Sequence, residues 1–172
     1  MRYSLPSLTR RAASVVRWSV LVPLFGAAAL LSACGTDSTA PNIPSNPAVE
    51  TYAASLGVNI ANMTKKSDNL YVQDLVVGTG AEAVASRVIQ VTYTGWLVNG
   101  SRFDTNVGGG PFRFTLGIGQ VIPGWDQGVA GMKVGGKRKL VIGSSLAYQN
   151  QGQGPIPPNA TLVFDVELLG VQ

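Results

Sequence analysis

Residues 93–104 read YTGWLVNGSRFD, and this segment decides the fold. Its first part belongs to one of five short β-forming runs that glycines separate, at 70–77, 88–98, 112–116, 137–142 and 161–171. Runs of this length and spacing predict a mainly antiparallel sheet. Bulky side chains alternate most clearly in the third and fifth runs, which places one face of each against a core. These residues are Phe112, Phe114 and Leu116, then Leu162, Phe164, Val166 and Leu168.

One short helix is predicted between the third and fourth runs. Ile122, Trp125, Val129 and Met132 share one face of a helical wheel, and Pro123 stands at the start. The sequence therefore predicts an α+β fold, in which about five antiparallel strands wrap around one short α-helix.

The charge of the chain argues against a nucleic-acid partner. The 172 residues include 13 Lys and Arg and 9 Asp and Glu, but four arginines lie in the first seventeen residues. The remaining chain is formally neutral, whereas phosphate recognition needs a basic surface. We interpret the basic cluster Lys133, Lys137, Arg138 and Lys139 as a solvated strand edge rather than a binding patch.

The chain contains no histidine and one cysteine. This composition excludes histidine-dependent triads, histidine-ligated metals and disulfides within the chain. We therefore expect no metal and no cofactor.

The first 33 residues have the pattern of a signal peptide. Residues 1–17 carry four arginines and no acid, and residues 18–31 form a short apolar stretch. A permanent membrane-spanning helix needs roughly 20 apolar residues, so this stretch is short for one.

The sequence Leu31-Ser32-Ala33-Cys34 resembles the lipobox of bacterial lipoproteins, in which the cysteine becomes the lipid-modified amino terminus. The alternative is a plain secretory signal with an incidental buried cysteine. Two or more acyl chains, such as palmitate, anchor a protein stably. Gly35 is not the aspartate associated with inner-membrane retention. The resemblance implies a lipid-anchored protein of the cell envelope, on the outer membrane facing the periplasm if the cell has two membranes.

Residues 34–69 are predicted to be the lipidated cysteine, a flexible tether and a short helix. Residues 35–47 are polar and rich in proline, which is typical of a spacer. Val49, Tyr52, Ala53 and Leu56 then recur with helical spacing, which predicts a short amphipathic helix ending at Gly57. Residues 70–172 are predicted to be the functional domain.

The segment 93–104 resembles the Y-T-G-x-L-x-x-G-x-x-F-D signature of the FKBP-type peptidyl-prolyl isomerases. The resemblance continues in order through 111–114 (PFRF), 121–125 (VIPGW), 128–132 (GVAGM), 147–148 (AY) and 156–169 (IPPNATLVFDVELL). It implies an FKBP-like twisted antiparallel sheet around a short helix. It also implies peptidyl-prolyl cis-trans isomerase, or rotamase, activity that assists protein folding outside the cytoplasm.

The resemblance also implies a candidate site. Trp125 would be the floor of a proline pocket, and the Ile122 N–H and the Tyr148 hydroxyl would hold substrate carbonyls. Asp104 would lie beside the twisting amide, with Tyr93 nearby. The walls would be Tyr93, Phe103, Phe114, Val121, Ile122 and Phe164, with Ile156 at the rim. Phe112 is either a core residue or a rim residue.

Two departures from the family pattern concern loops near this site. Residues 105–110 (TNVGGG) contain no arginine, whereas some members carry there a basic partner for the aspartate. The loop after Tyr148 is one residue shorter and lacks the usual glycine directly after the tyrosine. We expect substrate preference to differ from that of typical members.

The implied activity suits the composition, because rotation about a prolyl bond breaks no covalent bond and needs no nucleophile. The expected partners are proline-containing unfolded or flexible chains, and tacrolimus-type macrolides are the expected inhibitors. We expect the protein to be a monomer. One alternative is a non-catalytic holdase chaperone that uses the same groove. Another is a structural lipoprotein.

Overall fold

The computed structural model describes residues 45–172. In this part the chain forms seven strands and one α-helix, with bounds β1 (Thr64–Ser67), β2 (Leu70–Val76), β3 (Val88–Leu97), β4 (Arg102–Thr105), β5 (Phe112–Thr115), α1 (Pro123–Val129), β6 (Lys137–Ile142) and β7 (Leu162–Val171). Three 3₁₀ turns lie at Ala54–Leu56, Ile60–Asn62 and Ser144–Leu146. The predicted signal peptide, Cys34 and most of the predicted tether lie outside the described residues.

The strands form one antiparallel sheet in the order β1-β2-β6-β7-β3-β4, and β5 also pairs with β3. Strand β5 pairs with the first half of β3, from Val88 to Val91, and β4 pairs with the second half, from Thr94 to Trp96. Strand β7 pairs with β3 along nearly its whole length. The segment 93–104 therefore spans the β3–β4 hairpin, and the predicted α+β fold class is confirmed.

Two four-residue strands, β1 and β4, escaped the sequence prediction. Strand β1 reads TKKS and is largely exposed, so it has no apolar alternation to detect. Strand β4 reads RFDT and follows β3 after a tight turn, in which the Gly100 N–H donates to the Leu97 carbonyl at 2.9 Å. Both strands form because their backbones pair with a longer neighbouring strand, and neither has an apolar sequence pattern that predicts it.

The predicted amphipathic helix ending at Gly57 is wrong. Only the 3₁₀ turn Ala54–Leu56 forms there, and Gly57 ends it in the left-handed conformation at φ 59°. A helix of about ten residues is marginal in isolation. The chain instead bonds to the sheet, where the Ala53 N–H donates to the Val98 carbonyl at 2.8 Å.

Helix α1 packs on the sheet across two glycines. Pro123 opens the helix, and Trp125 and Val129 are buried against the sheet. A Cβ at Gly124 would overlap Ile142 Cγ2, and one at Gly128 would lie 2.9 Å from Leu140 Cδ2. The helix thus approaches β6 more closely than residues with side chains would allow.

A buried arginine, paired with a more exposed aspartate, fixes the other end of this helix. Arg138 on β6 donates to the carbonyl oxygens of Gly128 at 2.9 Å and Ala130 at 3.2 Å, and pairs with Asp74 at 2.6 Å. The predicted solvated edge for this basic cluster is wrong at two positions. Strand β6 lies between β2 and β7 rather than at an edge, and Arg138 and Lys139 are 8% and 6% exposed.

Residues 45–63, which we call the strap, cover the opposite face of the sheet. Side chains alternate between the two faces of a strand. Leu140 and Ile142 belong to the core under α1, and Val141 between them contacts a second cluster. Leu56 and Met63 of the strap are buried in that cluster with Tyr71, Val141 and Val163. The strap is therefore part of the folded unit. No helix among residues 45–172 has the length and apolar character to cross a membrane.

Replacing Gly124 by alanine tests the close approach of helix and sheet. Alanine inside a helix is normally more favourable than glycine by about 0.5–1 kcal/mol. Here the new methyl group overlaps Ile142, and overpacking costs typically about 1–3 kcal/mol. We expect Gly124→Ala to lower the free energy of unfolding in urea. Gln127→Ala, at an exposed position of the same helix, is the matched control and should stay within about 0.5 kcal/mol of wild type. A Gly124→Ala protein more stable than wild type would contradict this packing.

Candidate active site

A cavity of about 400 Å³ opens beside α1, within the range of small-ligand sites. Its lining residues come from β3, β4, β5, β7, α1 and two loops. They are Tyr93, Phe103, Asp104, Phe112, Gln120, Val121, Ile122, Trp125, Tyr148 and Phe164. The structure thus brings together eight of the ten residues predicted for the pocket, from positions up to 71 residues apart in the sequence.

Trp125 is the centre of an aromatic cluster in the cavity floor. Its ring centroid lies 4.9 Å from that of Tyr93, 5.4 Å from Phe164, 5.8 Å from Phe114 and 6.1 Å from Phe112, all edge to face. Each such pair contributes about 0.5–1.5 kcal/mol beyond its buried area. The indole Nε1 is buried and has no hydrogen-bond partner among the described residues. Packing alone therefore holds the indole in place.

A glycine in the deciding segment makes room for the aromatic wall. A Cβ at Gly95 would lie 2.6 Å from Phe103 Cζ and 2.8 Å from Phe164 Cε1. These two rings meet edge to face at 5.5 Å. A side chain at this position of β3 would push both rings into the cavity, which gives the glycine of the YTG sequence a physical reason.

The polar side of the cavity is formed by two tyrosines and one carboxylate. The Tyr93 hydroxyl donates to Asp104 Oδ2 at 2.5 Å, across the β3–β4 pair. Burial raises the pKa of Tyr93 well above its ordinary value, and the Asp104 hydrogen bond and charge add to this effect. Burial also raises the pKa of Tyr148, and the charge of Asp104 contributes there too. Both hydroxyls therefore stay protonated at neutral pH.

Two predicted pocket residues do not line the cavity. Phe114 is 3% exposed and supports Trp125 from within the core, and Ile156 is 6% exposed and belongs to the same core. Phe112 lies two residues before Phe114 on the same face of β5, so it takes the position nearer the opening and is 39% exposed. Of the two interpretations left open for Phe112, the structure supports the rim.

Gln120 is a lining residue that the sequence analysis missed. Its side-chain carbonyl accepts the Thr115 N–H at 2.6 Å, which fixes the turn between β5 and α1. A glutamine in a glycine-rich turn carries no periodic signal, so only the fold could place it here.

Asn106 holds the loop that lacks the arginine of some family members. Its Oδ1 accepts the Tyr93 N–H at 2.7 Å, and its Nδ2 donates to the Val91 and Gly110 carbonyls, both at 3.1 Å. The Thr105 hydroxyl donates to the Tyr93 carbonyl at 2.9 Å. Neutral hydrogen bonds thus fix the loop after Asp104 onto β3. The loop lies beside Tyr93, whose hydroxyl binds the Asp104 carboxylate.

The loop after Tyr148 contains a strained residue. Gln149 has a left-handed backbone with φ 49°, at the position where the family pattern has glycine. A residue with a side chain is uncommon in this conformation and costs roughly 1–2 kcal/mol there. The Gln149 N–H donates to the Ser144 carbonyl at 2.9 Å, and its own carbonyl accepts the Asn159 N–H at 2.7 Å. These bonds hold the loop in place despite the strain.

The fold and the cavity together define a class of protein. An aromatic floor suits a small apolar ring, and the two hydroxyls at one side suit the carbonyl oxygens of an extended peptide. The class is therefore a peptide-binding α+β domain whose site surrounds one apolar residue and its adjoining amide groups.

The comparisons with known proteins identify the family. The model of the FKBP-type peptidyl-prolyl cis-trans isomerases matches residues 80–169. An FK506-binding protein of Neisseria meningitidis serogroup A is 54% identical over 105 residues, which are 60% of this chain and 96% of the relative. The peptidyl-prolyl cis-trans isomerase FKBP53 of Arabidopsis thaliana is 50% identical over 109 residues, which are 61% of this chain and 23% of the relative.

Solved structures give the same result. FkpA from Escherichia coli is 44% identical with a TM-score of 0.59, over 64% of this chain and 51% of that one. AtFKBP13 is 39% identical with a TM-score of 0.61, over 64% of this chain and 99% of that one. The chain belongs to the FKBP-type peptidyl-prolyl cis-trans isomerase family and is a peptidyl-prolyl isomerase, which confirms the predicted family and activity.

The raised tyrosine pKa values predict how pH affects activity and stability. In the unfolded chain Tyr93 and Tyr148 titrate near 10.0, and in the native protein they titrate higher. The native state therefore binds more protons than the unfolded state above about pH 10, so stability falls as pH rises there. Ionisation of these hydroxyls should not alter catalytic efficiency between about pH 6 and 9.

Urea unfolding and isomerisation rates across this pH range are the measurements. Tyr93→Phe should weaken the decline in unfolding free energy above about pH 10. A tyrosine-dependent drop in activity near pH 8, absent in Tyr93→Phe and Tyr148→Phe, would contradict the assignment.

Proposed function

We propose that the cavity binds a substrate proline over Trp125 and rotates the amide bond that precedes it. The observation that carries this proposal is the asymmetry of the cavity. Trp125, Phe103 and Phe164 form apolar surfaces, whereas Tyr93, Asp104 and Tyr148 place polar groups where the substrate backbone would lie.

The energetics require binding rather than bond-making chemistry. The barrier to rotation is ~18–20 kcal/mol, and a ~10⁴ to 10⁶-fold acceleration needs about 5–8 kcal/mol. Removing the amide carbonyl from water contributes ~1–3 kcal/mol, because solvent stabilises the charge-separated planar form. Tighter binding of the twisted amide than of the planar one supplies the rest.

Each polar group has a proposed part in this step. The Ile122 N–H and the Tyr148 hydroxyl hold substrate carbonyl oxygens on either side of the rotating bond. Asp104 lies beside the twisting amide and is oriented by the Tyr93 hydroxyl. Both hydroxyls keep their protons, since burial and the charge of Asp104 raise the pKa of each.

The proposed clients are unfolded or flexible protein segments that contain proline. Phe112 stands exposed at the opening and contacts the Tyr93 and Trp125 rings, so it is positioned to meet the residue beside the proline. Because relatives carry the name FK506-binding protein, we propose that tacrolimus-type macrolides compete with these clients. We also propose that the protein works as a monomer.

We further propose that the protein acts in the cell envelope, held by lipid on Cys34. Its support is the sequence Leu31-Ser32-Ala33-Cys34 after an arginine-rich, then apolar, leader. Ten residues lie between Cys34 and Ser45, the first residue that the structure describes, and ten residues span at most about 35 Å. An outer-membrane anchor facing the periplasm would therefore keep the isomerase close to the bilayer, within reach of newly exported chains.

The Tyr148→Phe variant tests whether the Tyr148 hydroxyl, on the polar side of the cavity, holds a substrate carbonyl oxygen. Loss of one hydrogen bond to a substrate carbonyl should lower kcat/KM by roughly two- to tenfold, while unfolding stability stays within about 0.5 kcal/mol of wild type. The measurement is isomerisation of a proline peptide beside urea unfolding of the same preparations. Tyr71→Phe, on the strap face of the sheet, is the matched control and should keep full activity.

A truncation of Trp125 is less suited to testing the site, since truncating a buried tryptophan costs ~3–5 kcal/mol of stability. A Tyr148→Phe protein that unfolds early but keeps its rate would mean that the hydroxyl is structural. Peptide binding by wild type with isomerisation no faster than in buffer would favour the holdase alternative.

The Cys34→Ser variant tests the anchor. Cys34 is the single cysteine of the chain, so its loss removes the one position that a lipobox can modify. We expect loss of acyl labelling and recovery of the protein as an uncleaved precursor or in the soluble fraction. Membrane fractionation and labelling with a fatty-acid analogue measure this. A variant that stays acylated and membrane-bound would overturn the lipobox assignment.

A further inference from the structure

The strap meets the Tyr148 loop through a reciprocal pair of hydrogen bonds. The Ser45 N–H donates to Ser144 Oγ at 3.1 Å, and the Ser144 N–H donates to Ser45 Oγ at 2.9 Å. Ser144 is 1% exposed, so a polar group left unpaired at this position would be costly. Ser45 lies 35 residues before the region that the family model matches, so this contact is additional to the family domain.

Ser144 is also the residue that holds both neighbours of Tyr148. Its carbonyl oxygen accepts the Ala147 N–H at 3.0 Å and the Gln149 N–H at 2.9 Å. A displacement of Ser144 would therefore move the backbone on either side of the Tyr148 hydroxyl. The chain of contacts from the strap to the cavity is three steps long, from Ser45 to Ser144, to Ala147 and Gln149, and to Tyr148.

Two features explain why this loop needs an external support. Gln149 has a strained left-handed backbone, and strain of this kind persists only when surrounding contacts over-determine it. The residue before Ser144 is Gly143, where a Cβ would lie 3.0 Å from Pro47 Cδ of the strap. The strap thus packs directly against the start of the loop as well as bonding to it.

We propose that Ser45 and Ser144 are positioning residues for Tyr148, so that the strap is part of the catalytic unit. This inference rests on the proposed role of Tyr148 in holding a substrate carbonyl. A positioning residue cannot contribute more than the group that it positions. The effect of losing Ser45 is therefore bounded by the effect of losing the Tyr148 hydroxyl.

The test is a double-mutant cycle in the full chain with Ser45→Ala and Tyr148→Phe. We expect Ser45→Ala to lower kcat/KM by about two- to fivefold, less than Tyr148→Phe. In the Tyr148→Phe background the same substitution should have no further effect, because the positioned hydroxyl is gone. Ser144→Ala should act like Ser45→Ala, and Ser45→Thr, which keeps the hydroxyl, should restore activity.

A matched control separates positioning from general weakening of the strap. Asn59→Ala removes the hydrogen bond from the Ala61 N–H at the far end of the strap, 14 positions after Ser45. It should change stability and leave kcat/KM unchanged. Equal losses of activity in Asn59→Ala and Ser45→Ala would overturn the proposal, as would an equal effect of Ser45→Ala with and without the Tyr148 hydroxyl.

Amide hydrogen exchange at Gln149 tests the support without any assay of activity. Loss of the Ser45 hydroxyl should speed exchange of the Gln149 N–H, which Ser144 protects. If Tyr148→Phe alone keeps full activity, the proposed function of Tyr148 fails, and exchange still decides whether Ser45 holds the loop. Unchanged exchange in both Ser45→Ala and Ser144→Ala would overturn the inference.

Discussion

The contact between α1 and β6 is the constraint on which the site depends. Gly124 and Gly128 let the helix lie against Ile142 and Leu140 with no side chain between them. This close approach of helix and sheet places Trp125 among the aromatic side chains of the cavity floor, with the Tyr93 ring centroid at 4.9 Å. A helix held farther from the sheet would leave the indole without edge contacts and the cavity without a floor. The Arg138 hydrogen bonds to the end of the helix maintain the same approach from the other side.

The cavity shows how a chain without histidine can be an enzyme. Under the proposed function its task is to enclose an amide and favour the twisted form, which burial, aromatic surfaces and neutral hydroxyls can do without proton transfer. Asp104 is the charged group in the cavity lining, and the Tyr93 hydroxyl binds its carboxylate. Neutral bonds from Asn106 fix the neighbouring loop, in place of the arginine found there in some family members. The environment of the Asp104 carboxylate therefore differs from that in the members that carry the arginine.

Most of the fold and the site could be predicted because their signals are local. Strands β2, β3, β5, β6 and β7 and helix α1 carry apolar patterns over four to ten residues, and the resemblance placed Tyr93, Asp104, Trp125 and Tyr148 at one site. What escaped prediction depends on tertiary contacts. Strands β1 and β4 exist through pairing, and the strap bonds to the sheet instead of forming a helix. Phe112 and Phe114 have the same alternation, so only the tertiary structure decides which one lines the cavity.

We propose that rotation of the prolyl bond in this cavity involves no rate-limiting proton transfer. The most direct test is the solvent isotope effect on kcat/KM, measured with a proline peptide in H₂O and D₂O at equivalent pH, with Tyr148→Phe alongside. We expect a ratio of about 1 for both proteins, because binding and desolvation lower the barrier. A ratio of about 2 or more in wild type that disappears in Tyr148→Phe would show that a hydroxyl proton moves in the transition state, as general acid catalysis requires, and would contradict a mechanism of binding and desolvation alone.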